Sequence, residues 1–571
     1  MLVVFALFCA GPARALTVDV AAPEALQELL LRHLEVARAA RLNERMDAEE
    51  MARLQRQSDQ TARDLLATEG YFSPQVDSAV EWMNGDWHVA YEVMPGPRTE
   101  VRRVELSIEG ALKTAVDQDA LRARIEQSFP MKPGMPFRQA DWDAAKLVVL
   151  RPLLVDTYPT ARIAASEARI DPTTHSADLS VTVDSGPGFY YGPLAISGLA
   201  RYPDPVARNL SPIKPGHPYR QQDLLDYQAA LESSTYFAQA TVTVNPDPTR
   251  AAAIPVEVAL VERPEKRFSV GAGVSSDTGA RVQAAWLHRD ILGRGMRLKL
   301  DTRIETRSQT GAVELAWPRS ASGYENSLGL QFRREDIEGQ ETRSTVLAAK
   351  RGRTRGPIEA TLSLQYQTED QRVARVVNAS NQALTANYAW TQRRVGRDFY
   401  PRRGYVLSLQ GGGALESLLS DTTFVRLYGR HTQYVPVGNR GRLVLRGEWG
   451  SVLADRREGI PTDFLFRAGG DKSVRGYAYQ SLGGTVNGAV SSVRYLATGT
   501  VEYNYFLDRN WGVALFVDAG DAADSPGALS PVFGYGVGAR YRSPVGPINL
   551  DLAYGEATDK FRLHFSLGVS F

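Results

Sequence analysis

FRLHFSLGVSF, residues 561–571, alternates an apolar residue with a polar or small one to its last position. Phe561, Leu563, Phe565, Leu567, Val569 and Phe571 fall on one face, and Arg562, His564, Ser566, Gly568 and Ser570 on the other. Such alternation predicts a β-strand with one face in an apolar medium and one in a polar medium. A soluble sandwich would alternate too, by packing its apolar face on a second sheet. Two features favour a barrel in lipid. Charges crowd the polar faces, as with Arg297, Lys299, Asp301, Arg303 and Glu305 in RLKLDTRIE, which suits a wet lumen. The sequence also ends on an aromatic residue of this strand, so the strand is expected to close the sheet. The same character reaches back to Phe268, with turns rich in glycine and aspartate. At roughly 19 residues per strand and connection, residues 266–571 are expected to form an all-β transmembrane barrel of about 16 antiparallel strands. Hydropathy averages hide strands of this kind, and no 18-residue apolar run for a transmembrane helix is present.

A chain of 571 residues exceeds one ordinary core, so further domains are expected. Its 66 Lys and Arg nearly cancel its 65 Asp and Glu, which argues against a nucleic-acid partner. Residues 2–10, LVVFALFCA, form a short apolar core followed by Ala13-Arg14-Ala15, a small-x-small cleavage pattern. Residues 1–15 are therefore expected to be a signal peptide, whose missing basic region points to a start codon upstream. A buried strand is the alternative. The sole cysteine, Cys9, lies in this segment, and Phe8 before it does not suit a lipoprotein signal. Cleavage after Ala15 would leave a chain without thiols, consistent with export.

Between signal and barrel the sequence repeats. KPGMPFRQADWD from Lys132 returns as KPGHPYRQQDLLDY from Lys214, a proline-glycine turn opening an apolar helical pattern. A second landmark occurs three times, from Tyr71 to Pro97, Tyr158 to Pro187 and Tyr236 to Pro264. Each is a tyrosine, two alternating runs and a proline-bearing exit. Three α+β domains of pattern β-α-α-β-β are expected, at 16–97, 98–187 and 188–265. In the first, Glu24 to Ala67 reads as helix throughout, as a pair of helices or a coiled-coil partner. Small mixed sheets leave edge strands that can take up an extended peptide. The alternative is that the domains are spacers.

Within the barrel, GGDKSVRGYAYQSLGG at 469–484 sets Arg475 in a glycine-rich run. In VEYNYF the apolar face takes Val501, Tyr503 and Tyr505, leaving Glu502 inside. In VALFVDAG it takes Val513, Leu515 and Val517, leaving Phe516 and Asp518 inside. A loop folded into the lumen would let Arg475 bridge Glu502 and Asp518 by charge-assisted hydrogen bonds. The alternative is a surface arginine. The closing seam is expected between FSVGAGVSS and the last strand, with Gly271, Gly273, Gly568 and Phe571 at it. Its glycines either weaken the seam or relieve crowding. Asp518, Asp521 and Asp524 do not have calcium-loop spacing, GYGVGAR is followed by no helix, and the histidines lack metal spacing. No catalytic residue, metal or cofactor is expected, and the protein is not expected to be an enzyme.

The repeats, VRGY at 474–477, DFYPRRG at 398–404, EYNYF at 502–506, FVDAGDA at 516–522 and SPVGPINLDLAYG at 543–555 together resemble the Omp85 superfamily. The repeats are similar to its POTRA domains. Three repeats, with GVSSDTGARVQAAW and AGGDKSVRGYAYQS, look closest to the TamA branch. The resemblance implies an outer-membrane protein of a Gram-negative bacterium with periplasmic N-terminal domains, in contact with outer-membrane lipids. It implies assembly of β-barrel clients such as autotransporters, a TamB-like inner-membrane-anchored partner, and no cofactor. It assigns Val474, Arg475, Gly476 and Tyr477 to a loop in the lumen. The alternative is a two-partner secretion pore exporting an unfolded passenger, which resembles two POTRA domains and a plug helix.

Overall fold

The computed structural model describes residues 16–42, 46–115, 119–374, 377–396, 400–543 and 546–570. The expected signal peptide, Asp398 and Phe399 of DFYPRRG, and Phe571 lie outside the described residues. Two compact units divide the chain. One runs to Ala195 and includes Pro212–Asp226 and Val242–Glu257; the other comprises Ile196–Ser211, Tyr227–Thr241 and the chain from Val258.

Three small α+β domains come first. The first has β1 (Leu16–Ala21), α1 (Glu24–His33), α2 (Glu35–Leu42), α3 (Ala48–Thr68), β2 (Gln75–Met83) and β3 (Asp86–Met94). It contains three helices where the sequence reading expects a pair. Leu34, fully buried, takes an extended conformation that ends α1. Asp47 then restarts α3 through a capping box with Glu50. Splitting the helical stretch lets Leu30, Leu34, Met51 and Leu66 reach one core. The second domain has β4 (Glu100–Glu109), α4 (Ala111–Thr114), α5 (Asp119–Ser128), α6 (Gln139–Leu154), β5 (Arg162–Asp171) and β6 (Ser176–Asp184). The third has β7 (Tyr191–Ser197), α7 (Pro205–Arg208), α8 (Gln221–Ser233), β8 (Phe237–Val244) and β9 (Ile254–Glu262). The sheet orders are β1-β3-β2, β4-β6-β5 and β7-β9-β8, so the last strand of each domain is central and the others are edges. Gly134 and Gly216, in the two KPGxP turns, take φ of +85° and +82°, a conformation few other residues accept.

The barrel has sixteen strands, interrupted by one two-stranded hairpin. Its first wall is β10 (Lys266–Ser275), β11 (Gly279–Ile291), β12 (Met296–Glu305), β13 (Ser308–Ala316), β14 (Tyr324–Ile337) and β15 (Gln340–Arg355). The middle is β16 (Ile358–Val373), β17 (Val377–Val395), β18 (Gly404–Ala414), β19 (Phe424–Val437) and β20 (Gly441–Leu453). A long loop holding the hairpin β21 (Gly484–Val486) and β22 (Ala489–Ser491) follows. The last wall is β23 (Tyr495–Phe506), β24 (Trp511–Ala523), β25 (Val532–Ser543), β26 (Gly546–Gly555) and β27 (Lys560–Ser570). Every neighbouring pair is antiparallel, and β10 against β27 closes the barrel. Phe268, Phe332, Leu362, Leu364, Leu515, Phe561 and Leu563 stand exposed on the outer face, as strands in lipid require. Among the described residues no helix is long and apolar enough to cross a membrane.

Candidate functional site in the barrel lumen

The loop between β20 and β23 folds back into the barrel. Gly469, Gly470 and Gly476 all take positive φ, and the loop carries Val474, Arg475 and Tyr477 to fully buried positions. Arg475 donates from Nε to Asp518 Oδ2 at 2.7 Å and from Nη2 to Asp518 Oδ1 at 3.0 Å. Its backbone N–H adds a third bond to the same carboxylate at 3.0 Å. Nη1 donates to Glu502 Oε2 at 2.7 Å and to Asp551 Oδ2 at 3.1 Å. The guanidinium carbon lies 3.4 Å from the Phe516 ring centroid, a cation–π contact out of water. Arg475 therefore meets Glu502 and Asp518, the two carboxylates that alternation places inside, together with a third acid and an aromatic floor.

Successive strands supply these groups in rows. Glu502 on β23 is in register with Phe516 on β24, then Gly536 on β25 and Ala553 on β26. One row away, Gly538 faces Asp551, which faces His564 on β27. The alternating glycines of GYGVGAR form the face beneath the loop. A Cβ on Gly534 would overlap the Arg475 carbonyl, one on Gly536 the Phe516 ring, and one on Gly538 the Asp551 carboxylate. Only a strand face without side chains lets backbone lie this close.

Arg540, which the sequence reading passes over, donates to Asp551 and lies 3.1 Å from Glu502. Arg446 donates to Thr500 at 2.8 Å, so the cluster sets three guanidinium groups against three carboxylates. A buried charge set of this kind is tolerated because Arg475 and Arg540 pair with the three carboxylates, while Arg446 is held by hydrogen bonds to Thr500 and the Ser473 carbonyl. Tyr477 Oη donates to the Phe533 carbonyl at 3.0 Å and accepts the Ala557 N–H at 2.9 Å.

The loop also touches both sides of the seam. The Gly476 N–H donates to His564 Nε2 of β27 at 3.0 Å. The Asp471 N–H donates to Asp277 Oδ2, in the turn after β10, at 3.1 Å. Burial and the neighbouring Asp277 push the Asp471 carboxyl up to about 7. At the seam, Gly271–Ser275 pair with Ser566–Ser570, with Gly273 opposite Gly568. Strand β27 meets β26 over Lys560–Ser566. Among the described residues only Ser566 of β27 thus has a register partner on both sides.

Residues 267–571 match the Omp85 superfamily domain. The chain belongs to the Omp85 superfamily. It is an outer-membrane β-barrel of that superfamily, with POTRA-like domains in the periplasm. It is 26% identical over 369 residues to outer envelope protein 80 of the chloroplast from Arabidopsis thaliana, covering 54% of this chain and 46% of that protein. Over 417 residues it is 26% identical to the protein of the same name from Oryza sativa subsp. japonica, covering 64% of this chain and 59% of that one. The chain spans about half the length of these curated relatives. Among solved structures, BamA from Haemophilus ducreyi lacking POTRA domains 1–3 aligns with a TM-score of 0.65 at 16% identity. That alignment covers 82% of this chain and 99% of the other, and it shows the shared fold.

Proposed function

We propose that this Omp85 protein inserts and folds β-barrel clients, autotransporters among them, and that it acts as a TamA-like member. The seam carries the reading. In lipid an unpaired backbone N–H or C=O costs several kcal/mol, so a strand entering a bilayer needs partners at once. Strand β27 is held by β26 along one half and by β10 along the other, so among the described residues parting it from β10 breaks five residue pairs and the bond from the Ser276 N–H to the Phe565 carbonyl. The freed edges of β10 and β27 then offer backbone partners to a client strand. The Arg475 loop braces this seam, because it is tied to His564 on one side and to Asp277 on the other. Opening must release or carry one of those ties.

Periplasmic edge strands deliver the client by β-augmentation. In the first domain the edge strand β2 ends in exposed Trp82 and Met83, a small apolar patch suited to an extended peptide or to a TamB-like partner. Photo-crosslinkers at Val274 and Phe561, exposed near the seam, and at Trp82 test both parts. The proposal expects captured barrel precursors at the seam and a periplasmic partner at Trp82. A passenger crosslinked from the lumen-facing Gln331, with nothing captured at the seam, would instead support a secretion pore.

A further inference from the structure

The outer face of the barrel is not equally neutral at its two ends. Strand β10 rises from the third N-terminal domain, so turns after β11, β13 and β15 return to the domain-bearing, periplasmic end. The β11–β12 turn shows this directly, since the Gly295 carbonyl there accepts the Tyr236 hydroxyl of the third domain at 2.6 Å. At this same end β15 finishes as KRGRTRGP, residues 350–357. Period two puts Arg351, Arg353 and Arg355 on the outer face. Their register partners there are Asn326 and Tyr324 on β14, and Leu362, Ala360 and Ile358 on β16. None of these is acidic. Glu325 and Glu359 fall on the inner face, and Glu325 pairs with Arg297.

Among the described residues, none of the three arginines has a carboxylate within ion-pair distance. All three are exposed. The guanidinium carbons of Arg351 and Arg353 lie 4.3 and 5.1 Å from the centroid of one ring, Tyr324. Arg319 joins them: a Cβ on Gly323 would stand 3.3 Å from Arg319 and 3.5 Å from Arg353. Directly toward the membrane centre the outer face turns apolar, with Leu328, Leu347, Leu362 and Leu364 exposed. The opposite end differs. There Arg334 and Arg343 also face outward, but each is 3.0 Å from Glu341.

We propose that Arg319, Arg351, Arg353 and Arg355 with Tyr324 form a site for the phosphate of an anionic phospholipid in the periplasmic leaflet. Guanidinium groups recognise phosphate by paired charge-assisted hydrogen bonds, and stacking on Tyr324 orders two of them beforehand. Their stems lie against the apolar band while the heads sit at headgroup level. Strands β15 and β16 are the sixth and seventh from the β10 side of the seam, well away from it, so the bound lipid fixes a wall that stays still while the seam parts.

Native mass spectrometry of the full chain in detergent, given an equimolar mixture of phosphatidylglycerol and phosphatidylcholine, tests the site. The wild type is expected to retain phosphatidylglycerol preferentially. Arg351→Gln with Arg353→Gln is expected to lower that preference by about fivefold per charge removed. Arg334→Gln with Arg343→Gln, at the other end, should leave it unchanged. Heat-modifiable migration on gels confirms that each variant is folded, and Arg351→Lys with Arg353→Lys, which keeps the charge but loses the forked geometry, should fall between the wild type and the glutamine variant. Equal retention of the two lipids by the wild type, or undiminished preference in the glutamine variant, would overturn the proposal. Displacement of the lipid by millimolar inorganic phosphate would also overturn it, by assigning the arginines to free phosphate.

Discussion

Arg475 keeps its place because its backbone N–H and four of its five guanidinium N–H donors are bonded to carboxylates. Three bonds to Asp518, one each to Glu502 and Asp551, and the face of Phe516 replace the water it gives up. Removing Asp518 takes three of these bonds but leaves Glu502 and Asp551 on the guanidinium, so Asp518→Ala is expected to lower stability by about 1.5–3 kcal/mol, read as a fall in the urea midpoint. Arg475→Lys keeps the charge but loses the forked geometry, and a smaller fall is expected. The Asp471–Asp277 clasp adds a pH dependence. A free aspartate holds its proton only to about pH 4, whereas Asp471 holds it to about 7. The stability it lends is therefore full below about pH 4 and is lost as pH rises through 7. Amide exchange at Asp471 should accelerate between pH 6 and 8 beyond its intrinsic pH dependence, and Asp471→Asn should abolish the excess.

At the level of strands, the glycine face of β25 seats the loop and the stagger of β27 keeps its pairing with β10 short. Gly538→Ala would push on Asp551 and Arg540, and a loss of about 1–3 kcal/mol is expected, with the loop more accessible to protease. Hydrogen exchange should be faster in β27 and in the seam half of β10 than in β16 and β17, which pair with each other along almost their whole lengths. Alternation made these faces legible in the sequence: Glu502 and Asp518 could be sent inward from VEYNYF and VALFVDAG. It could not reveal Asp551 as a partner of Arg475, although INLDLAYG puts it inside just as clearly. Which inward acids meet depends on strand register, and a slip of two residues changes the partners while keeping every face the same. His564 was likewise visible on the polar face of FRLHFSLGVSF, but its bond to Gly476 depends on how deep the loop descends.

Over the whole molecule, the repeats and the change of character near Phe268 marked three α+β domains and a barrel of about 16 strands, and the barrel has sixteen. The three helices of the first domain were less legible, because the break at Leu34 carries neither glycine nor proline and comes from burial of that leucine. The architecture places a braced, short seam in a membrane, with free sheet edges in the periplasm. On the proposed function, β27 parts from β10 during client assembly. Ser275 and Ser566 are register partners across the seam, within the span a disulfide bridges. The sequence has one cysteine, Cys9, in the expected signal peptide. With Ser275→Cys and Ser566→Cys introduced together, autotransporter assembly in reconstituted liposomes should stop when the pair is oxidised and return on reduction. Full assembly with the disulfide formed would contradict the account.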